Sequence, residues 1–281
     1  MNPKPWKVAG MQMDCHIGDI ENNLRRIMLH VELAAEEGAR LVVFPECALT
    51  GYCFQTKEHA LANAISNKSK PIAKLLEQCK DLDLFIIVGF LEKEGDHLYN
   101  SAICLGPKGI VGTYRKTHLP FLGVDRFVTP GTQPYEVYDL GGLKVGILIC
   151  FDGSFPEPCR VLSLLGADLI VLPTNWPEGA WGSAAHLPAM RALENHIYFM
   201  SVNRVGIENM FRFIGQSRII DWTGEDLDYL DHTEEGMLLA DIDSDVARDK
   251  QTVFVPGEYE VNRITGRRPE LYGPLLETIR I

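Results

Sequence analysis

Glu46, Lys116 and Cys150 are the side chains of this 281-residue chain whose types and settings suit nucleophilic chemistry. Each follows a short strand-like run: Leu41-Val42-Val43-Phe44 before Pro45-Glu46, Ile110 to Tyr114 before Arg115-Lys116, and Val145-Gly146-Ile147-Leu148-Ile149 before Cys150. All-apolar runs suit strands buried on both faces, so each residue is expected just past a strand's carboxyl end, where open α/β sheets place their sites. Amide hydrolysis needs a strong nucleophile, a proton carrier to a poor amine leaving group, and positive charge beside the developing oxyanion. On this reading Cys150 attacks and forms a thioester. Glu46 takes the thiol proton, hands it to the departing nitrogen and then activates water. Lys116 and the backbone N–H of Phe151 hold the oxyanion, and a strand-to-helix turn with a nearby ammonium or base favours the thiolate. Taken singly, each residue has a plainer reading: a surface acid, a solvated charge, a core thiol.

The elements that must position these residues follow one grammar. Asp19 caps an amphipathic run with apolar residues at Leu24, Ile27, Met28, Val31, Ala34 and Ala35, and Gly38 stands where a left-handed C-terminal residue belongs. The spacing predicts further helices from about Pro71 to Lys80 and from about Pro156 to Leu165. It predicts strands over Leu84–Val88, Val145–Ile149 and Asp168–Pro173, with hairpin-like pieces at Asn100–Leu105 and Ile110–Tyr114, so the sheets should be mixed. Gly38-Ala39-Arg40-Leu41-Val42-Val43-Phe44-Pro45 is echoed by Gly166-Ala167-Asp168-Leu169-Ile170-Val171-Leu172-Pro173. Two related halves packed face to face would give a four-layer α-β-β-α sandwich, two mixed sheets with helices on the outer faces. Chance recurrence of strand-Pro endings is the alternative.

Composition narrows the function classes. Apolar residues make up 46% and charged residues 23%, an ordinary globular balance without an apolar stretch long enough to span a membrane. The N-terminus, Met1 to Trp6, lacks a secretory apolar region and cleavage site, which points to a cytoplasmic protein. A net charge of −11 argues against nucleic acid, since such binding draws on clustered Lys and Arg and the basic cluster Arg263 to Arg268 is brief. Seven cysteines and eight histidines include neither a C-x-x-C nor an H-E-x-x-H, so free thiols, no metal site and no cofactor are expected. One domain over 1–281 is expected.

Phe44-Pro45-Glu46, Tyr114 to Leu119 and Cys150-Phe151-Asp152-Gly153-Ser154-Phe155-Pro156-Glu157 resemble the three signature blocks of the nitrilase superfamily, in order and spacing. The resemblance extends to Pro173-Thr174-Asn175-Trp176-Pro177, to Arg191-Ala192-Leu193-Glu194-Asn195 with Tyr198 and Asn203, and to Phe213-Ile214-Gly215-Gln216-Ser217 with Asp221 and Gly224, so it covers nearly the whole chain. It implies a carbon-nitrogen hydrolase with a Glu-Lys-Cys triad, an αββα sandwich and a homodimer or higher homo-oligomer; the segment from about 245 to 281 is expected to be an extension packing on a partner subunit. Asp152 and Glu157 are expected to brace the turn after Cys150, a plain helix-start role being the alternative for Glu157, and Glu194 to make a structural helix contact. Phe151, Asn175 and Trp176 are candidate substrate-pocket residues, with a core role open for Trp176.

One departure concerns a second glutamate that many members of this superfamily carry shortly before a Pro-Gly, where it orients lysine and substrate. Pro120 to Gly131 holds no Glu, and Asp125 is its sole acid. Either Asp125 has taken over that role or it pairs with Arg126 or faces solvent; as a loop acid it is expected to contribute little to folding. The favoured activity is hydrolysis of a small, fairly linear amide or N-carbamoyl compound. The alternative is a nitrilase, although the nitrilase branch usually shows Trp-Glu after the cysteine where Phe151-Asp152 stands here. A non-catalytic binding protein on the same scaffold is the reading from another class. Selectivity is expected to rest on loops at 116–131 and 175–183.

Overall fold

A computed structural model describes residues 5–277; Met1 to Lys4, on which the reading of the N-terminus partly rests, and the last four residues of the expected C-terminal extension lie outside the described residues. Two six-stranded mixed sheets dominate. The first contains β1 (Trp6–Gln12), β2 (Leu41–Val43), β3 (Phe85–Glu94), β4 (His97–Gly106) and β5 (Gly109–Arg115), with the late strand β14 (Gly236–Ile242) beside β1. The second contains β6 (Val137–Asp139), β7 (Lys144–Ile147), β8 (Leu169–Thr174), β9 (Tyr198–Asn203), β12 (Arg218–Ile220) and β13 (Asp226–Tyr229). Small antiparallel ribbons, β10 (Ile207–Glu208) with β11 (Phe211–Arg212) and β15 (Thr252–Val255) with β16 (Tyr259–Val261), stand apart.

The internal echo is structural. In the first sheet β14 and β1 are antiparallel, β1, β2 and β3 parallel, β4 and β5 antiparallel; β6, β7, β8, β9, β12 and β13 repeat that order and those directions. Helices α1 (Ile20–Glu36) and α4 (Pro156–Leu164) end alike: Gly38 and Gly166 take φ of 83° and 89°, and the next residues, Ala39 and Ala167, donate to Ala34 and Leu162. Only glycine enters that left-handed region without steric cost, which is why both helices stop there.

Alternation sorts the core into layers. Val42 and Phe44 face the side of α1 and α3 (Lys70–Leu82), packing with Leu24, Ile27, Ile72 and Leu75, while Leu41 and Val43 face the second sheet. On that second sheet's side lie α4 and α5 (Trp181–Asn195), whose Cys159, Leu162, Ala184 and Ala192 are buried in the central core. Between the sheets Gly10 leaves room for side chains of the facing sheet: a Cβ there would sit 3.0 Å from Val202 Cγ2. The outcome is the expected helix, sheet, sheet, helix order.

Differences from expectation have local causes. β8 runs through Pro173 rather than stopping at it. Leu148 donates to Val171, so Val171 and Pro173 both turn toward β7, which has ended at Ile147; the missing N–H removes no ladder bond. Strand β7 stops short of Ile149 because the Ile149 N–H is taken by Asp152. Helices α2 (Lys57–Asn63), α5 and α6 (Ser244–Arg248) were not singled out from the sequence; α5 begins at Trp181, so the expected loop 175–183 is partly helical.

Candidate active site

Glu46 follows β2 in a tight turn in which Ala48 N–H bonds Pro45 and Thr50 and Gly51 bond Cys47. That turn lies on β3 at Gly89, where a Cβ would come within 2.4 Å of the Cys47 nitrogen and 2.6 Å of the Pro45 oxygen. Gly89 is therefore required by close approach, and it fixes the height of the Glu46 backbone above the sheet. Lys116 leaves β5 beside β4: its N–H bonds the Asn100 carbonyl at 2.8 Å and its own carbonyl accepts from Gly131 at 2.9 Å.

The Lys116 Nζ donates to Glu46 Oε1 at 2.7 Å and to Asp125 Oδ2 at 2.6 Å, with all three side chains shielded from solvent. Asp125 lies in the 3-10 turn Gly123–Arg126 and also accepts from the Tyr52 hydroxyl at 2.8 Å. Arg126 turns elsewhere, donating to the carbonyls of Gly123 and Phe54. Asp125 thus neither pairs with Arg126 nor faces solvent, and the expectation of an exposed loop acid is corrected. Asn100 Nδ2 joins the two carboxylates, 2.7 Å from Glu46 Oε1 and 2.8 Å from Asp125 Oδ1. Tyr52 is held in turn by Glu208, whose carboxylate accepts the N–H groups of Tyr52 and Cys53 and pairs with Arg204 at 2.9 Å.

Cys150 opens a 3-10 turn, Cys150–Ser154, with φ of 46°. A left-handed cysteine is strained, and such strain persists where the surroundings over-determine it. Asp152 does so here: Oδ2 accepts from Ile149 N–H at 3.0 Å and Tyr114 hydroxyl at 2.8 Å, and Oδ1 accepts from His118 N–H at 2.9 Å and Thr117 hydroxyl at 3.0 Å. One buried carboxylate therefore ties the nucleophile's turn to the segment after Lys116. Glu157, by contrast, is exposed in the first turn of α4, the helix-start position that favours an acid. Glu194 pairs with Arg191 one turn away, a structural contact.

The candidate pocket residues divide. Asn175, 1% exposed, donates its side-chain amide to the Glu46 carbonyl at 3.0 Å. Phe151 packs edge-on against Phe155, which stacks on His118. Trp176 is buried in the same central core cluster as Cys150, its backbone held by Asn203 and Ile214.

Burial pushes the Cys150 thiol up to about 12; the Glu46 carboxylate adds to this, while Lys116, the Thr174 hydroxyl and the Asn175 N–H oppose it. Desolvation outweighs the ammonium at this sulfur, which fits the expectation that Glu46 takes the thiol proton. Burial also raises Glu46, with Lys116 opposing and Asp125 reinforcing. For Lys116 burial acts downward, but the charges of Glu46 and Asp125 overcome it and hold the amine protonated well above its ordinary range. Oε2 of Glu46 and Oδ1 of Asn175 are buried acceptors without a partner among the described residues. No group of three or more His, Cys, Asp or Glu side chains among those residues is arranged to hold a metal ion.

Sequence reasoning missed Asn100 and Tyr52. The available signal was an asparagine within the strand-like His-Leu-Tyr-Asn-Ser-Ala-Ile run, a residue depleted from strands.

The description "Carbon-nitrogen hydrolase" belongs to the family whose profile matches residues 7–251. A nitrilase of Pyrococcus abyssi is 40% identical over 247 residues, covering 87% of this chain and 92% of the relative. A citrullinase of Francisella tularensis is 30% identical, covering 96% and 98%. Among solved structures, an amidase of the nitrilase superfamily from Nesterenkonia AN1 aligns with a TM-score of 0.80 at 25% identity, covering 97% of this chain and 98% of that one. In one mutant of that amidase the acetamide moiety of fluoroacetamide is covalently added at the active-site cysteine.

Proposed function

We propose, from the premise that this chain belongs to the carbon-nitrogen hydrolase family of the nitrilase superfamily, that it hydrolyses a small, fairly linear amide or N-carbamoyl compound through a thioester on Cys150. The observation that carries the reading is the buried cluster in which Lys116 bridges Glu46 and Asp125 while Glu46 Oε2 stays unpartnered.

The chemistry follows from that arrangement. Glu46 Oε2 accepts the Cys150 proton as sulfur attacks the carbonyl carbon, which a thiol with so high a pKa requires. An ammonium has three N–H groups; two of Lys116's are engaged, and the third is available to the oxyanion together with the Phe151 N–H. Glu46 then protonates the departing nitrogen, the C–N bond breaks, and ammonia or an amine leaves. Water, deprotonated by Glu46, opens the thioester, and the proton returns to Cys150 as the acid departs.

Amides are favoured over nitriles by the two unpartnered acceptors, Glu46 Oε2 and Asn175 Oδ1. The NH2 of an unsubstituted amide or ureido group offers two hydrogens to such acceptors. A nitrile nitrogen offers none and would leave Asn175 Oδ1 without a donor, a recurrent basis of discrimination. Nitrile hydrolysis is the second reading, supported by the relative named nitrilase. Ammonia release from matched amide and nitrile pairs, with Cys150→Ala as blank, tests both: release from the nitrile at an equal or greater rate removes the amide assignment.

One catalytic domain extends through the chain, and the segment beyond about residue 245 serves to pack on a second copy. Val253, Phe254, Val255, Tyr259, Leu271 and Leu275 are all at least 46% exposed, a density of apolar surface that suits an interface. No helix among the described residues is long and apolar enough to cross a membrane, and we place the enzyme in the cytoplasm.

A further inference from the structure

Asn100 occupies β4 between β3 and β5, 1% exposed, with its backbone paired to Leu91 and its carbonyl accepting the Lys116 N–H. A primary amide has two N–H groups and one carbonyl oxygen. Here the N–H groups serve Glu46 Oε1 and Asp125 Oδ1, and the oxygen faces the Cys47 thiol at 3.5 Å. We propose, resting on the hydrolase reading above, that Asn100 is a positioning residue: it pins one oxygen of each buried carboxylate and so commits Glu46 Oε2 to proton transfer.

Two consequences follow from the geometry. Rotation of the Glu46 carboxyl would exchange its oxygens, and with Lys116 and Asn100 both bound to Oε1 that rotation breaks two charge-assisted hydrogen bonds at once. The sheet therefore sets which oxygen meets the thiol. Secondly, the groups bearing on Glu46 are Lys116 and Asp125, with Cys47, Cys150 and Tyr52 neutral beside them. One cation thus lies between two carboxylates in a dry site, and donors from Asn100 favour the ionised form of Glu46, the form that acts as a base. Deleting those donors should raise the proton affinity of Glu46 and move the acid limb of the reaction to higher pH. A purely structural asparagine would leave that limb in place.

Alkylation of Cys150 by iodoacetamide, followed by peptide mass against pH on the full chain, reads this without a known substrate. Single-turnover acylation on whichever amide releases ammonia gives the second readout. Asn100→Ala should slow both by at least about tenfold, change KM by less than about threefold, and raise the acid midpoint by about half a unit or more. Asn100→Asp keeps the shape and places a third acid against the pair, so its midpoint should rise further. Thermal melts confirm that the variants are folded, and Asn100→Ser, which retains one donor, stands in if Asn100→Ala does not fold. An unchanged midpoint in a folded variant, or a loss confined to KM, overturns the proposal. A shifted alkylation profile in a protein that hydrolyses no amide would retain Asn100's role and remove the hydrolase reading.

Discussion

Lys116 Nζ lies 2.6 Å from Asp125 Oδ2, and neither side chain is accessible to water. The pairing makes Asp125, on its short side chain, the second carboxylate of the site. Asp125→Asn should lower the acylation rate by at least about tenfold, because lost orientation of the lysine is felt at the reacting atoms. Unlike an exposed loop acid it should also cost stability, up to about 3 kcal/mol, since a buried ammonium loses one of its two counter-charges. Single-turnover kinetics and denaturant melts on the same variant check both; an unchanged acylation rate would reduce Asp125 to a structural partner.

Cys150→Ala and Cys150→Ser should abolish turnover while leaving the melting profile close to that of the unaltered protein. Loss of a covalent nucleophile costs several powers of ten, so activity above about one per cent in a contamination-free preparation sinks the thioester route.

Activity and stability should respond to pH in opposite regions. Glu46 must be ionised to act, and burial raises its pKa, so the rate falls on acidification through a midpoint above the ordinary glutamate value. At the alkaline end, burial raises the thiols of Cys15, Cys79, Cys150 and Cys159 from 9.0 to about 12. A raised folded-state pKa stabilises fully below the unfolded value and is lost as pH climbs toward the folded one. The melting temperature should therefore decline between about pH 9 and about pH 12; a flat profile across that window would refute the burial of these thiols.

Dialysis against EDTA should leave ammonia release intact, as the proposed steps use only side chains, backbone N–H groups and water. Activity lost to chelation and restored by zinc would replace the mechanism.

Removal of the chain after about residue 250 should shift the sedimentation profile toward monomer. A truncated protein that keeps the oligomeric state of the full chain would dissociate the tail from the interface.

Much of this protein could be read from local pattern. Helix exits at Gly38 and Gly166, the apolar runs of β2, β7 and β8, and the placement of Glu46, Lys116 and Cys150 past strand ends all depend on residues within a few positions of one another. Backbone sterics and burial act at that range, so the layered fold was accessible without coordinates, while the three candidate residues were singled out by the resemblance of their blocks to the nitrilase signatures. How far burial raises the Cys150 thiol was not accessible in this way, because it turns on how completely two sheets exclude water from one sulfur. Asp125 could be named as a candidate, yet whether it reached Lys116 or solvent depended on Tyr52, a residue 73 positions away. Asn100 was passed over because a lone amide in a strand acquires a role only when Glu46, 54 positions distant, and Asp125 converge on its nitrogen. Tertiary packing decided these points: it alone determines which polar groups lose water together, and in a dry site that sets both their charge and their partners.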